Sequence, residues 1–315
     1  MNAWPIGVFD SGAGGLSVLE ACRALLPRED FIYLSDARHA PYGNKADAEI
    51  AGRVFTCCER LINLNCKAIV VACNTATGVG IRTLRERYER PFVGLEPAIK
   101  PAIEAGFKGE IVLFCTEATA RQEKFLKLLG QFQKGNGEWG MGNGDIVGAD
   151  GKPSESVGVA VPGDPYLYSQ ESQSINNVGI GGSPSPATPT GRNVIRPIPD
   201  SGFRTPNPES PSPIIISPQK NLAALIENHF DNLDLIRPQV YDILSAHKNA
   251  AAIILGCTHY VFVREMILDF YREQGCEIRI FDGNAGAARR LKSLLKQGQL
   301  LTNRKTAGGV RLILG

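Results

Sequence analysis

The chain has 315 residues, 43% hydrophobic and 21% charged, with a net charge of +2. This is the balance of a soluble globular protein, long enough for about two domains. No acidic tail or dense basic stripe offers a hold for nucleic acid, and no apolar run is long enough to span a bilayer.

Trp4-Pro5-Ile6-Gly7-Val8-Phe9 is a short apolar run ending in Asp10-Ser11-Gly12-Ala13-Gly14-Gly15, after which Leu16, Val18, Leu19 and Ala21 take helical spacing. Strand, glycine turn and helix follow one another. The same alternation continues with a strand at 31–34, a helix at 47–64, a strand at 68–72, a helix at 76–89 and a strand at 92–95. It predicts a parallel sheet with helices on both faces. Glu96-Pro97-Ala98 marks a crossover into a second α/β unit with a strand at 111–114 and a helix through about 119–130.

Residues 133–213 are rich in Gly, Ser, Asn and Pro, and 151–213 hold twelve of the twenty prolines. Such a segment buries too little apolar surface to offset its ordering entropy, so a disordered insertion is expected, with local structure at most in Val157–Val161. Order is expected to resume with Ile214–Ile216, helices near 219–230 and 236–247, a strand at 252–255, a helix after Tyr260, a final strand at 278–281 and a last helix at 285–296. Met1-Asn2-Ala3-Trp4-Pro5 lacks the basic-then-apolar pattern of an export signal, which predicts a cytoplasmic protein.

The eight cysteines sit in apolar or helical-looking segments of a chain too long to need disulfides, so reduced thiols are expected. Without a CxxC pair and with four scattered histidines, no metal site is expected. Two of the cysteines form an internal echo. Val70-Val71-Ala72-Cys73-Asn74-Thr75 and Ile254-Leu255-Gly256-Cys257-Thr258-His259 are each a β run, a small residue, a cysteine and polar groups.

Ligands of open parallel sheets bind beyond the carboxyl ends of the strands, so two such units facing one another would set the two thiols across one cleft. Opposed protonatable groups suit removal of a proton from one face of a carbon and delivery to the other. Asp10 is placed to act near Cys73, and His259 is two residues from Cys257. Taken singly, each cysteine reads as a small core residue; the matched pair reverses that balance.

The turn Gly12-x-Gly14-x-x-Ser17, with Asp36 further on, approaches a dinucleotide fingerprint. Asp10 before the turn would repel a pyrophosphate, and Ser17 stands where a third glycine is needed, so no cofactor is expected. Asp10-Ser11 suits a substrate ammonium, and the turn Pro41-Tyr42-Gly43-Asn44 suits a carboxylate. Cys57, Cys58 and Cys66 read as packing, and His39 and His247 as surface or satisfied polar groups.

Phe9–Leu16, Pro41-Tyr42-Gly43, Ala72-Cys73-Asn74-Thr75 and Leu255-Gly256-Cys257-Thr258-His259-Tyr260 resemble, in order, the signature blocks of glutamate racemase. Glu96–Ala102 is similar to that family's interdomain segment and Thr116–Thr119 to its substrate loop. The resemblance implies two pseudo-symmetric α/β domains, 1–97 with 259–315 and 98–258, and an active site in the cleft between them. It implies cofactor-independent interconversion of L- and D-glutamate for peptidoglycan.

Carried over residue by residue, Cys73 takes the α-proton of D-glutamate and Cys257 that of L-glutamate, assisted by Asp10 and His259. Ser11, Pro41, Tyr42, Gly43, Asn44, Asn74, Thr75, Thr119 and Thr258 hold the ammonium and carboxylates. Asn44 stands for a usual threonine and Ala118 for a usual glycine. The family's Cys-Pro segment and following glutamate are matched loosely by Ser217-Pro218 and Glu227. Assembly is not fixed by the sequence; a homodimer is compatible with it. An aspartate racemase of the same superfamily, or an inactive relative using the insertion to bind a partner, are the competing readings.

Overall fold

The computed structural model describes residues 2–133 and 212–314, so most of the expected disordered insertion, with Val157–Val161, lies outside the described residues. The elements are β1 (Ile6–Asp10), α1 (Leu16–Leu25), β2 (Phe31–Ser35), α2 (Asp47–Asn63), β3 (Ala68–Val71), α3 (Asn74–Arg87) and β4 (Phe92–Gly94). Then come α4 (Ile99–Glu104), β5 (Glu110–Cys115), α5 (Glu117–Arg121), α6 (Glu123–Gln133), β6 (Ile214–Pro218) and α7 (Leu222–Asn228). The remainder is α8 (Arg237–Ser245), β7 (Ala250–Gly256), α9 (Arg264–Glu273), β8 (Arg279–Asp282), α10 (Asn284–Gln297) and β9 (Val310–Leu314).

Two sheets result, ordered β4-β3-β1-β2-β9 and β6-β5-β7-β8. Every pairing in both is parallel. β1, β2 and β3 are buried at every position, which is why they read as unbroken apolar runs rather than alternating ones. One face of the first sheet packs Val18, Leu19, Leu291 and Leu295 from α1 and α10; the other packs Ile50, Val54 and Ile81 from α2 and α3. The second sheet is likewise covered by α7, α8 and α9 on one face and by α4 and α6 on the other. The expected α/β class with helices on both faces of parallel sheets is the observed one.

Two expectations are corrected. Residues 259–282 do not return to the first sheet: β8 pairs with β7, and Met266, Ile267, Phe270 and Tyr271 of α9 pack on the second sheet. The chain crosses back after Asp282, because α9 offers its apolar stripe to β7 and α10 offers its own to α1. Nor is 278–281 the final strand, since Val310–Leu314 adds β9 to the edge of β2. That strand is hard to see in sequence because Val310, Leu312 and Leu314 stay exposed at the sheet edge.

In both sheets strand order reverses direction beside one strand, between β1 and β3 in the first and between β5 and β7 in the second. Crevices at such reversals are where open α/β sheets bind ligands. Asp10, Cys73, Thr116 and Cys257 stand at or just past the carboxyl ends of these four strands.

Candidate active site

Cys73 is the N-cap of α3. Its extended backbone turns the side chain so that Sγ accepts the Ala76 N–H at 3.4 Å, and Ser11 Oγ lies 3.6 Å from the same sulfur. Burial pushes the thiol's pKa up and the charge of Asp10 adds to this; the Ala76 N–H and Ser11 oppose it. A thiol so placed is a strong base once deprotonated.

Asp10 is fully buried at the end of β1. Its Oδ2 accepts the Gly12 N–H at 3.0 Å and its Oδ1 the Thr258 hydroxyl at 3.4 Å, a contact joining the two sheets. Burial pushes its pKa up to about 6, against the pull of His259.

Cys257 closes β7, and its Sγ lies 3.8 Å from Nδ1 of His259. The opposite ring nitrogen, Nε2, is 2.5 Å from Oε2 of Glu227 on α7. Burial would lower the pKa of His259, but hydrogen bonds to Cys257 and Glu227 outweigh it and hold it well above the usual imidazole range. Glu227 is held below the usual carboxylate range: burial would raise it, and the hydrogen bond to His259 prevails. The result is a sulfur, imidazole and carboxylate line in which the ring can carry a proton to or from Cys257.

The glycine turn accepts Glu227 rather than a phosphate. Both Glu227 oxygens take the Ala13 N–H, at 3.1 and 3.2 Å. A Cβ on Gly12 would lie 2.5 Å from Glu227 Oε2, so this glycine is needed for the close approach. With Asp10 on the Gly12 amide as well, internal carboxylates occupy the donors that a pyrophosphate would use. Asp36, the ribose-binding candidate of that fingerprint, is fully buried and accepts Tyr42 Oη at 2.6 Å and Arg53 at 2.8 and 2.5 Å. It anchors the 41–44 turn.

Of the predicted substrate groups, Ser11, Asn74, Thr75, Thr119 and Thr258 are buried, and Thr75 bonds across the sheets to Thr116 at 2.9 Å and Thr119 at 3.1 Å. Tyr42 and Gly43 are buried, Pro41 is half-buried, and Asn44 is exposed. Gly43 packs on Thr116, where a Cβ would lie 3.0 Å from the threonine's Cβ. The Asn74 Oδ1 is buried without a protein partner, a free acceptor at the start of α3. Sequence reasoning read Thr116 only as an end of the substrate loop and Asp36 only as part of a dinucleotide fingerprint, and it passed over Gln122. Nothing local signalled Gln122.

All eight cysteines are free. Among the described residues no cluster of His, Cys, Asp or Glu could hold a metal ion, and no helix is long and apolar enough to cross a membrane.

The Asp/Glu/hydantoin racemase family model matches residues 6–133. A glutamate racemase of Clostridium botulinum (strain Langeland) is 32% identical over 314 residues, covering 99% of this chain and 91% of its own. Among solved structures, a glutamate racemase isoform from Bacillus anthracis superposes with a TM-score of 0.65 at 21% identity, covering 100% of this chain and 89% of the other. The Francisella tularensis glutamate racemase, solved in complex with D-glutamate, gives 0.63 at 21% identity with the same coverage. The fold is theirs, and the near full-length identity to the clostridial relative shows that the chain belongs to the glutamate racemase family.

Proposed function

We propose that this chain interconverts L- and D-glutamate by a two-base mechanism, with Cys73 and Cys257 as the opposed acid and base. The observation that carries this reading is that each cysteine ends a strand beside its own proton partner: Cys73 near Asp10 and Ser11, Cys257 against His259. One thiolate takes the α-proton from one face while the other thiol delivers its proton to the opposite face; the spent pair then exchanges protons with Asp10 and His259. Burial of both sulfurs keeps the carbanion-like transition state from competing solvent protons.

Ser11 and Asp10 suit the ammonium; Asn74, Thr75, Thr119, Thr258 and the Tyr42-Gly43 turn suit the carboxylates. A cytoplasmic supply of D-glutamate for peptidoglycan is the role this chemistry fits.

The test is α-proton exchange in deuterated water from each enantiomer separately, with circular dichroism following rotation and aspartate run in parallel. Racemisation of glutamate from both sides, abolished by Cys73→Ala and by Cys257→Ala, is expected. Exchange of neither amino acid rejects the reading, and preference for aspartate redirects it.

A further inference from the structure

We propose that Thr116 is a positioning residue that sets the donor direction of the hydroxyls at the carboxylate end of the site; this rests on reading Thr75 and Thr119 as substrate-binding groups. Thr116 follows β5 directly, and its Oγ1 lies 2.9 Å from Oγ1 of both Thr75 and Thr119, which are themselves 3.1 Å apart. Three buried hydroxyls thus form a closed triangle. Each has a single proton to donate. Left to themselves, the three could circulate those protons around the ring in either sense and leave none for a ligand.

The backbone breaks that symmetry. The Thr119 N–H donates to Thr116 Oγ1 at 3.1 Å, and the Thr116 hydroxyl donates in turn to Thr119 Oγ1. The Thr119 proton is thereby turned away from Thr116, toward Thr75 or an incoming ligand. An ionised carboxylate only accepts hydrogen bonds, and the Thr119 hydroxyl, already accepting from Thr116, keeps its proton to donate to it. Packing fixes the orientation: the 41–44 turn presses Gly43 against Thr116 Cβ and Cγ2, and Gln122 Nε2 holds the Thr75 carbonyl at 2.9 Å. One side chain therefore joins three segments of the site that belong to both sheets.

The experiment compares Thr116→Val, which keeps the shape and loses the hydroxyl, with Thr116→Ser, which keeps the hydroxyl. Racemisation kinetics are measured in both directions. Binding of glutarate, a dicarboxylate without the ammonium, is measured by calorimetry. Thr116→Val is expected to raise KM and weaken glutarate by about tenfold, with kcat within about twofold, because a carboxylate contact is made equally in ground and transition states. Thr116→Ser should restore both to within about twofold. Wild-type KM and glutarate affinity in Thr116→Val would overturn the proposal, as would a serine variant as impaired as the valine one. A wild type that neither racemises glutamate nor binds glutarate overturns the functional reading as well; normal wild-type activity with an unaffected valine variant overturns the positioning role alone.

Discussion

Asp10 carries its carboxyl fully buried, and burial raises its pKa from 3.8 to about 6. A carboxyl whose pKa is higher in the folded than in the unfolded chain stabilises the fold below pH 3.8 and loses that contribution as the pH rises through 6. The difference corresponds to about 3 kcal/mol. Asp10→Asn removes the titration, so its stability relative to wild type should grow by about 2 kcal/mol between pH 4 and pH 8 in urea denaturation. A gap constant with pH would show that the carboxyl is not perturbed. The same group gives kcat/KM a rising limb near pH 6, which the variant should lack. Asp10 was legible in the sequence as a polar residue ending an apolar run; its pKa was not, because burial is imposed by segments far along the chain.

At the scale of elements, two devices shape the site: a helix capped by a buried cysteine and a glycine turn filled by a carboxylate. Capping places Cys73 where the α3 amides favour a thiolate, partly offsetting burial. The glycine turn draws in Glu227, whose hydrogen bond, after that of Cys257, raises the pKa of His259. Glu227→Gln should lower kcat/KM by about 10–100-fold. The loss must be equal from L- and D-glutamate, since the two enantiomers have the same free energy. The pH limb due to His259 should move to lower pH, because a raising influence is removed. Activity within twofold of wild type would mean that the imidazole needs no such support. Gly12→Ala, whose Cβ would press on the same carboxylate, should reproduce the defect without altering any ionisable group.

The molecule as a whole is tied together at the end of the first sheet remote from the thiols. Lys67 and Glu29 are both buried and pair at 2.6 Å; Lys67 also donates to the Asn2 carbonyl at 2.7 Å, and Glu29 accepts the Thr302 N–H at 2.8 Å. Arg304 grips Asp30 through two bonds of 2.6 Å, and Asp30 also takes the Gly309 N–H. These contacts dock the returning chain so that β9 completes the sheet. Lys67→Met leaves Glu29 buried without a counter-charge and should cost about 3–5 kcal/mol in chemical denaturation. Adding Glu29→Leu should recover much of that loss, since the penalty is for the orphaned charge. A double variant as unstable as the single one would trace the loss to packing instead.

Strand–helix alternation, the parallel class and the two cysteines at matching strand ends were readable from the sequence, because each is written within a few consecutive residues as an apolar run and the polar groups that end it. The long-range contacts that hold Asp10 and His259 in place beside those cysteines were not. The Asp10–Thr258 contact spans 248 positions and the Ala13–Glu227 contact 214. Strand order, which brings β1 beside β3 and β5 beside β7, has no local signature either. The same holds for β8 remaining with the second sheet, for the exposed edge strand β9, and for the meeting of Thr116 with Thr75. Sequence by itself determined which acid and base side chains stand at the strand ends. Only the tertiary structure decided their protonation and direction, because pKa and hydrogen-bond polarity depend on burial and on neighbours that the chain meets only after it has folded.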